Sequence, residues 1–312
     1  MIQYFKNIEH KTIAVDKPEA GTWVNVLPPL KNEEFTELSQ QLEIPIDFLK
    51  DSLDIDERSR YEIDDNVKLI VIKTPAENNS FNESDAFYIT IPICIILTHN
   101  QIVTVNSFEN EAIKKFLNSF QNRSMDKKSM MVLKIFEKVT NNFQDYLKEI
   151  NLRRNTLEQK LYISNRNEEL LQLMRIQKSL VYFITALRSN ELLMIKIART
   201  NILQLNEDEK DLLNDMVVET SQALEMANTY TNILNSTLDA FASIVSNNQN
   251  VVLKRLTTLM IFLGIPILIA SIYGMKVPAI FEQNRYVFWI ISVLCFAVVA
   301  LLTASYFNRL KK

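Results

Sequence analysis

NVVLKRLTTLMIFLGIPILIASIYGMK, Asn250 to Lys276, decides the fold. After Lys254 and Arg255 it carries no charge for twenty residues, Leu256 to Met275, and a helix needs about 20 apolar residues to cross a bilayer. A second uncharged run of twenty-three residues, Tyr286 to Asn308, follows a linker of ten, Lys276 to Arg285. Two buried helices of a soluble core would not stand back to back on so short a connection, so the reading is a membrane hairpin. Lys254 and Arg255 precede the first run, Arg309, Lys311 and Lys312 follow the second, and the linker holds two basic residues. The excess of positive charge at the outer ends places both termini in the cytoplasm of a cell inner (plasma) membrane protein. Tyr286, Trp289 and Tyr306 fall near the ends of the second run, where amphipathic rings favour the interface.

Going back from Asn250, an apolar period of 3 and 4 runs straight into the first span through Leu213, Val217, Thr220, Leu224, Ala227, Thr231, Leu234, Leu238, Phe241, Val245 and Val252. One helix from Glu207 into the membrane follows, near 100 Å at about 1.5 Å per residue. Upstream, Leu133, Phe136, Thr140, Phe143, Leu147, Ile150, Arg154, Leu157 and Leu161 keep the same spacing, which predicts helices over about Lys127–Leu161 and Arg166–Ile202. No proline interrupts the chain between Pro92 and Pro266. A helix this long needs lateral partners, and Thr and Ala at its seam positions suggest several chains packed together.

Residues 1–125 read as a small α/β lobe. Strands are expected at Thr22–Leu27 and Val67–Ile72, with a hairpin at Phe87–Leu97 and Ile102–Val105. Helices are expected at Lys31–Leu42 and Ile46–Leu53. The domain reading is therefore 1–125 lobe, 126–250 helical funnel and stalk, 251–275 first span, 276–285 external loop, 286–308 second span and 309–312 basic tail. The fold class is an α+β membrane protein.

Composition excludes several functions. Only three glycines occur, Gly21, Gly264 and Gly274, too far apart for a dinucleotide-binding turn or a phosphate loop. Of 34 basic and 37 acidic residues, seven and one lie from Val251 onward, leaving 27 against 36, a net of −9, for the soluble part. Bulk nucleic-acid binding does not suit that charge. Cys94 and Cys295 read as buried hydrophobes, and His10 and His99 stand alone, so no catalytic or metal set is written here. No cofactor is expected. Met1-Ile-Gln-Tyr-Phe-Lys lacks the layout of a secretory signal.

An acidic α/β lobe, a long stalk helix and two C-terminal spans resemble the CorA family of magnesium channels. The specific match is Tyr273-Gly274-Met275-Lys276, where the family carries Tyr-Gly-Met-Asn. The resemblance implies a passive, non-enzymatic homopentameric funnel with first spans lining the pore and Mg²⁺ as permeant and regulatory ion. Carried over residue by residue, Gly274 and Met275 match the outer motif and Asn250 the inner pore mouth. Leu253, Leu256 and Met260 would form a hydrophobic constriction. Lys254, Arg255, Arg309, Lys311 and Lys312 match the basic girdle. Asp215, within the stripe Asp211, Asp215 and Glu219, falls where the family senses cytosolic divalent cations; a solvated acidic face is the equal alternative.

Two positions depart from that pattern. Lys276 replaces the motif's asparagine, and five ammonium groups at a pore mouth would repel Mg²⁺ unless splayed outward. An inactivating or engineered substitution, a filter supplied by another ring such as Glu282, or a different permeant would each account for it. Arg154 occupies a seam position, with Arg153 beside it. An interhelical ion pair, to Glu191 or Glu219, is the first expectation. The alternative is an anionic-ligand pocket completed by Arg188 and Arg199, as in CorA-like membrane effectors of type III CRISPR systems gated by a nucleotide of the SAM–AMP kind. A zinc transporter of the ZntB type lacks support from His or Cys near the pore mouth, and a non-conducting structural anchor remains a further class.

Overall fold

The computed structural model describes residues 2–8, 11–19, 21–27, 32–78, 85–106, 111–120, 127–164, 167–274, 286, 289–290, 292–293 and 295–300. The chain divides into two units, Met1–Thr237 and Leu238–Lys312. In chain order the elements are β1 (Ile2–Ile8), β2 (Lys11–Val15), β3 (Trp23–Val26), α1 (Asn32–Leu42), α2 (Ile46–Asp51), β4 (Arg60–Asp64), β5 (Val67–Glu77), β6 (Tyr88–Leu97), β7 (Ile102–Asn106), α3 (Glu111–Phe120), α4 (Lys128–Ser164), α5 (Asn167–Thr200) and α6 (Glu207–Gly274).

The strands form one seven-stranded sheet in the order β2-β1-β3-β7-β6-β5-β4. Every pair is antiparallel except β3 with β7, where Val24 stands beside Val103. β6 reads YITIPICIIL and is buried almost throughout, because helices cover both faces of the sheet. Alternation along the strands sends Val24, Val26, Leu69, Val71, Cys94, Ile96, Val103 and Val105 into one core with Phe35, Leu38, Leu42, Phe48 and Leu49 of α1 and α2. The intervening residues Ile70, Ile72, Ile93 and Ile95 are equally buried and turn to the opposite face, where α4 and α5 pack on β5 and β6. On that side Trp23 meets Phe116 of α3 edge-on at 5.1 Å, and its indole donates to Thr104 Oγ1 at 2.9 Å.

The seam expected on α4 is buried along its length, from Leu133 through Arg154 to Leu161. α5 returns along it: Phe143 and Phe183 meet at 5.4 Å, ring edge to face. α6 then runs parallel to α4, with Thr140 and Thr220 sharing a buried hydroxyl contact of 3.1 Å. The turn between α5 and α6 uses Asn201 and Gln204 at positive φ, and α6 starts on a reciprocal cap. Asn206 Oδ1 accepts from Glu209 N at 2.8 Å, and Glu209 Oε2 accepts from Asn206 N at 3.0 Å. That pairing satisfies two backbone donors that a helix start leaves open. Ser129 of α4 donates to the other oxygen of the same carboxylate at 3.1 Å.

On α6 the buried set is Glu209, Leu213, Met216, Thr220, Ala223, Ala227, Leu234 and Thr237. The expected seam shares every second member, but Val217, Leu224 and Thr231 sit half-buried on its flank. Two overlapping 3-and-4 strings differ by one residue, and the packing of α4 and α5 selects the other one.

The second unit holds the rest of α6 from Leu238, and its described residues 289–290, 292–293 and 295–300 are helical.

Candidate functional site

Within the second unit α6 is uninterrupted through Gly274, with Pro266 inside it. Asn250, Leu253, Thr257, Met260, Gly264, Ile267, Ser271 and Gly274 recur at steps of 3 and 4, so a continuous helix places them on one face. Of the expected pore residues, Asn250, Leu253, Met260 and Gly274 share that face, and Leu256 lies one position off it. Ile267 and the smaller Thr257, Gly264 and Ser271 complete it, marked in the sequence by the 3-and-4 spacing alone. The three smaller ones leave the stripe narrow, and a Cβ added at Gly264 would meet nothing within 4 Å.

Leu253 is 58% exposed, Met260 57% and Ile267 66%, while Leu259, Ile261 and Leu263 on other faces are exposed just as far. An exposed apolar surface this extensive does not persist in water. None of these apolar residues is fully buried, and among the described residues α6 is one helix long and apolar enough to cross a membrane. Thr257 and Thr258 donate to the carbonyls of Leu253 and Lys254, each at 2.8 Å, so their hydroxyls are satisfied without water, as a bilayer requires. Lys254 and Arg255 are exposed at the start of the stretch. Met275, Lys276, Glu282, Arg309, Lys311 and Lys312 lie outside the described residues. Tyr286, Trp289, Ile290, Val293 and Phe296 of the second apolar run are all exposed.

In the first unit, Asp211 and Asp215 are exposed and Glu219 half-exposed, one turn apart on α6. Among the described residues no three carboxylate, imidazole or thiol groups of one chain converge on a metal position.

The four arginines do not meet. Arg153 lies over the Phe87 ring at 3.9 Å and donates weakly to the Tyr88 hydroxyl at 3.4 Å. Arg175, a residue that sequence reasoning passed over, covers the same ring at 4.0 Å. Tyr88 donates to Glu149 at 2.5 Å; burial first, then that carboxylate, push its phenol well above the usual range. Arg154 points into the helical layer, 7% exposed. Its Nη2 donates to Asn151 and Asn155 side-chain oxygens at 2.9 and 2.6 Å, while Nε and Nη1 are buried without an acceptor among the described residues. The expected ion pair is therefore not made. Arg154 stands level with Leu234 on α6 and with about Gln172 on α5, leaving Glu219 and Glu191 roughly 20–30 Å away along their helices. Arg188 and Arg199 lie roughly 24 and 40 Å along α5 from that level, both exposed. No polyanion pocket is assembled from these four within one chain.

The sequence profile of the CorA-like Mg²⁺ transporter protein family matches residues 19–309. The cobalt/magnesium transport protein CorA of Methanocaldococcus jannaschii is 25% identical over 283 residues, covering 89% of this chain and 87% of that protein. The Thermotoga maritima protein of the same description is 20% identical over 296 residues, covering 93% and 83%. Among solved structures, the complete CorA magnesium transporter of M. jannaschii superposes with a TM-score of 0.84 at 22% identity, over 97% of this chain and 96% of that one. The full-length CmaX protein gives 0.73 at 14% identity, covering 100% and 97%. The cytoplasmic domain of ZntB from Vibrio parahaemolyticus gives 0.63 at 12%, covering 78% and 98%.

Proposed function

The chain belongs to the CorA-like Mg²⁺ transporter family, and on that premise we propose that it is a homopentameric channel that passes divalent cations, Mg²⁺ first, across the plasma membrane with both termini in the cytoplasm. The observation that carries this is the stripe from Asn250 to Gly274, small, hydroxyl-bearing or unbranched at most positions and exposed at Asn250, Leu253, Thr257, Met260, Gly264, Ile267 and Ser271, on an apolar helix whose opposite face, at Thr258, Phe262 and Ile265, is half-buried. Five such stripes turned inward bound a pore, and the remaining faces meet neighbouring helices and lipid. Mg²⁺ sheds its water reluctantly, so it enters as a hydrated ion, and Leu253 and Met260 close the passage by dewetting when the stripes approach.

Gating follows from α6 carrying both the acidic stripe and the pore face. One chain does not bring three ligands together, so a cytosolic Mg²⁺ at Asp211, Asp215 and Glu219 draws on carboxylates of adjacent copies and holds the assembly closed when the ion is plentiful. Gating by a SAM–AMP-type nucleotide lacks a converged arginine site.

Lys276 is the residue that sets conduction apart from membership of the family. Purified protein in liposomes loaded with a Mg²⁺-sensitive dye tests the proposal. Flux in the wild type, or flux that appears on Lys276→Asn, supports it; a lack of flux in both, with correctly inserted protein, refutes the channel reading.

A further inference from the structure

This inference rests on the homo-oligomer reading and deepens it. α5 and α6 carry opposite net charges. From Leu170 to Thr200, α5 holds Arg175, Lys178, Arg188, Lys196 and Arg199 against Glu191 alone, in a soluble part that is otherwise acidic. From Glu207 to Glu225, α6 holds seven acidic residues against Lys210. Among the described residues Arg188, Arg199, Asp211, Asp215 and Glu225 make no ion pair.

Apolar groups accompany them. Val181, Arg188, Leu192 and Arg199 share one exposed face of α5, with Val181 56% and Leu192 61% exposed. Asp211, Asp215, Val218, Glu225 and Ile233 share an exposed face of α6, with Val218 55% and Ile233 40% exposed. Gln222, Glu225, Met226, Thr229 and Tyr230 border a groove of about 310 Å³ on that side of α6.

The two helices are antiparallel, and contacts inside the chain fix their levels. Gln177 Nε2 donates to Asn235 Oδ1 at 2.8 Å, and Thr220 Oγ1 donates to Met194 Sδ at 3.8 Å. A closed cyclic assembly about an axis along the helices rotates one copy into the next without sliding it, so these levels hold between copies. Arg188 then stands level with Glu225, Arg199 with Asp215, Val181 with Ile233, and Leu192 with the stretch between Val218 and Gln222. Charge meets charge at Arg188 and Arg199 and apolar meets apolar at Val181, while Leu192 falls beside Thr220, Ser221 and Gln222. A slip of one turn toward the start of α6 would set Arg188 against Ser221.

We propose that the outward face of α5 docks on the acidic face of α6 of a second copy at this register, in a head-to-tail contact that repeats around a ring. Arg188 of the second copy seats in the groove at Glu225.

The test uses the full-length protein in detergent. Oxidation of an Arg188→Cys, Glu225→Cys variant in a Cys295→Ser background is expected to yield a ladder of covalent oligomers, absent from either single variant. Arg188→Glu and Glu225→Arg are each expected to weaken assembly roughly tenfold, and their combination to restore it. An oligomeric wild type with no ladder and two silent charge reversals overturns this interface while leaving the oligomer. A monomeric wild type by light scattering overturns the oligomer reading itself.

Discussion

Asn190 offers the sharpest test of how the helices are seated on the sheet. β4 pairs with β5 only as far as Val71, so beyond it Lys73 has backbone groups turned to a side with no strand. The Asn190 carboxamide of α5 stands there: its Nδ2 donates to Lys73 O at 2.7 Å, and its Oδ1 accepts from Lys73 N at 3.0 Å. The same oxygen accepts from Ser59 Oγ at 2.6 Å, and Asn190 is 1% exposed. A side chain has taken over the ladder where the strand ran out. Asn190→Ala leaves a buried N–H and a buried C=O without partners, at about 1–3 kcal/mol each. A local loss of about 3–5 kcal/mol follows once the lost packing is included. Amide exchange on the full-length protein in detergent is expected to accelerate at least ~100-fold at Lys73 and its neighbours, since each 1.4 kcal/mol is about tenfold. Amides of β1 and β2 should be unchanged. Exchange at Lys73 that stays within about threefold of wild type refutes the assignment of the carboxamide as the strand's substitute partner.

Three further outcomes follow. Arg154→Met removes a buried cation that no carboxylate among the described residues pairs with, and is expected to raise stability by about 1–4 kcal/mol in a thermal melt; a loss would mean that an acceptor holds the guanidinium. Burial pushes the Cys94 thiol up to about 12, so the folded state keeps the proton that the unfolded chain releases above about pH 8.5–9. Its contribution is complete below that pH and is lost toward pH 12 at about 1.4 kcal/mol per unit, so Cys94→Val should flatten that alkaline decline relative to wild type. Asp211→Asn combined with Glu219→Gln relieves two like-charge contacts of about 0.2–0.5 kcal/mol each. The double variant should resist proteolysis better than wild type without Mg²⁺ and gain less from its addition.

Much of the helical half was legible because its signal is periodic. The α4 seam from Leu133 to Leu161 packs inward as its spacing predicts, and helix bounds at 127–161, 166–202 and 207 onward fall close to the observed ones. Periodicity alone could not choose between two strings on α6 that share Leu213, Thr220, Ala227 and Leu234, since the choice depends on where Met194 and Thr140 lie. β1, β2, β4 and α3 were not anticipated. They are short and rich in charge or amide groups, as in Arg60-Tyr-Glu-Ile-Asp64, and owe their form to pairing with residues far away in sequence. Arg154 was recognised as anomalous by its seam position. The pairing expected of it failed because the antiparallel level of α5, which sequence does not state, carries Glu191 far from it.

The sheet order carries a temporal consequence. Its middle strand, β7, is the last to be made, and β3 pairs with it directly. The β2-β1-β3 ribbon must wait for residues 102–106 before it can join the rest. Chains grow at about 5–20 residues per second, and about 150 residues separate β7 from Leu256. The lobe therefore has roughly 8–30 s to close before the first membrane helix leaves the ribosome, long against the millisecond-to-second folding of sheets dominated by distant pairings. Synthesis supplies every strand of the sheet well before it delivers the segment that must enter the bilayer.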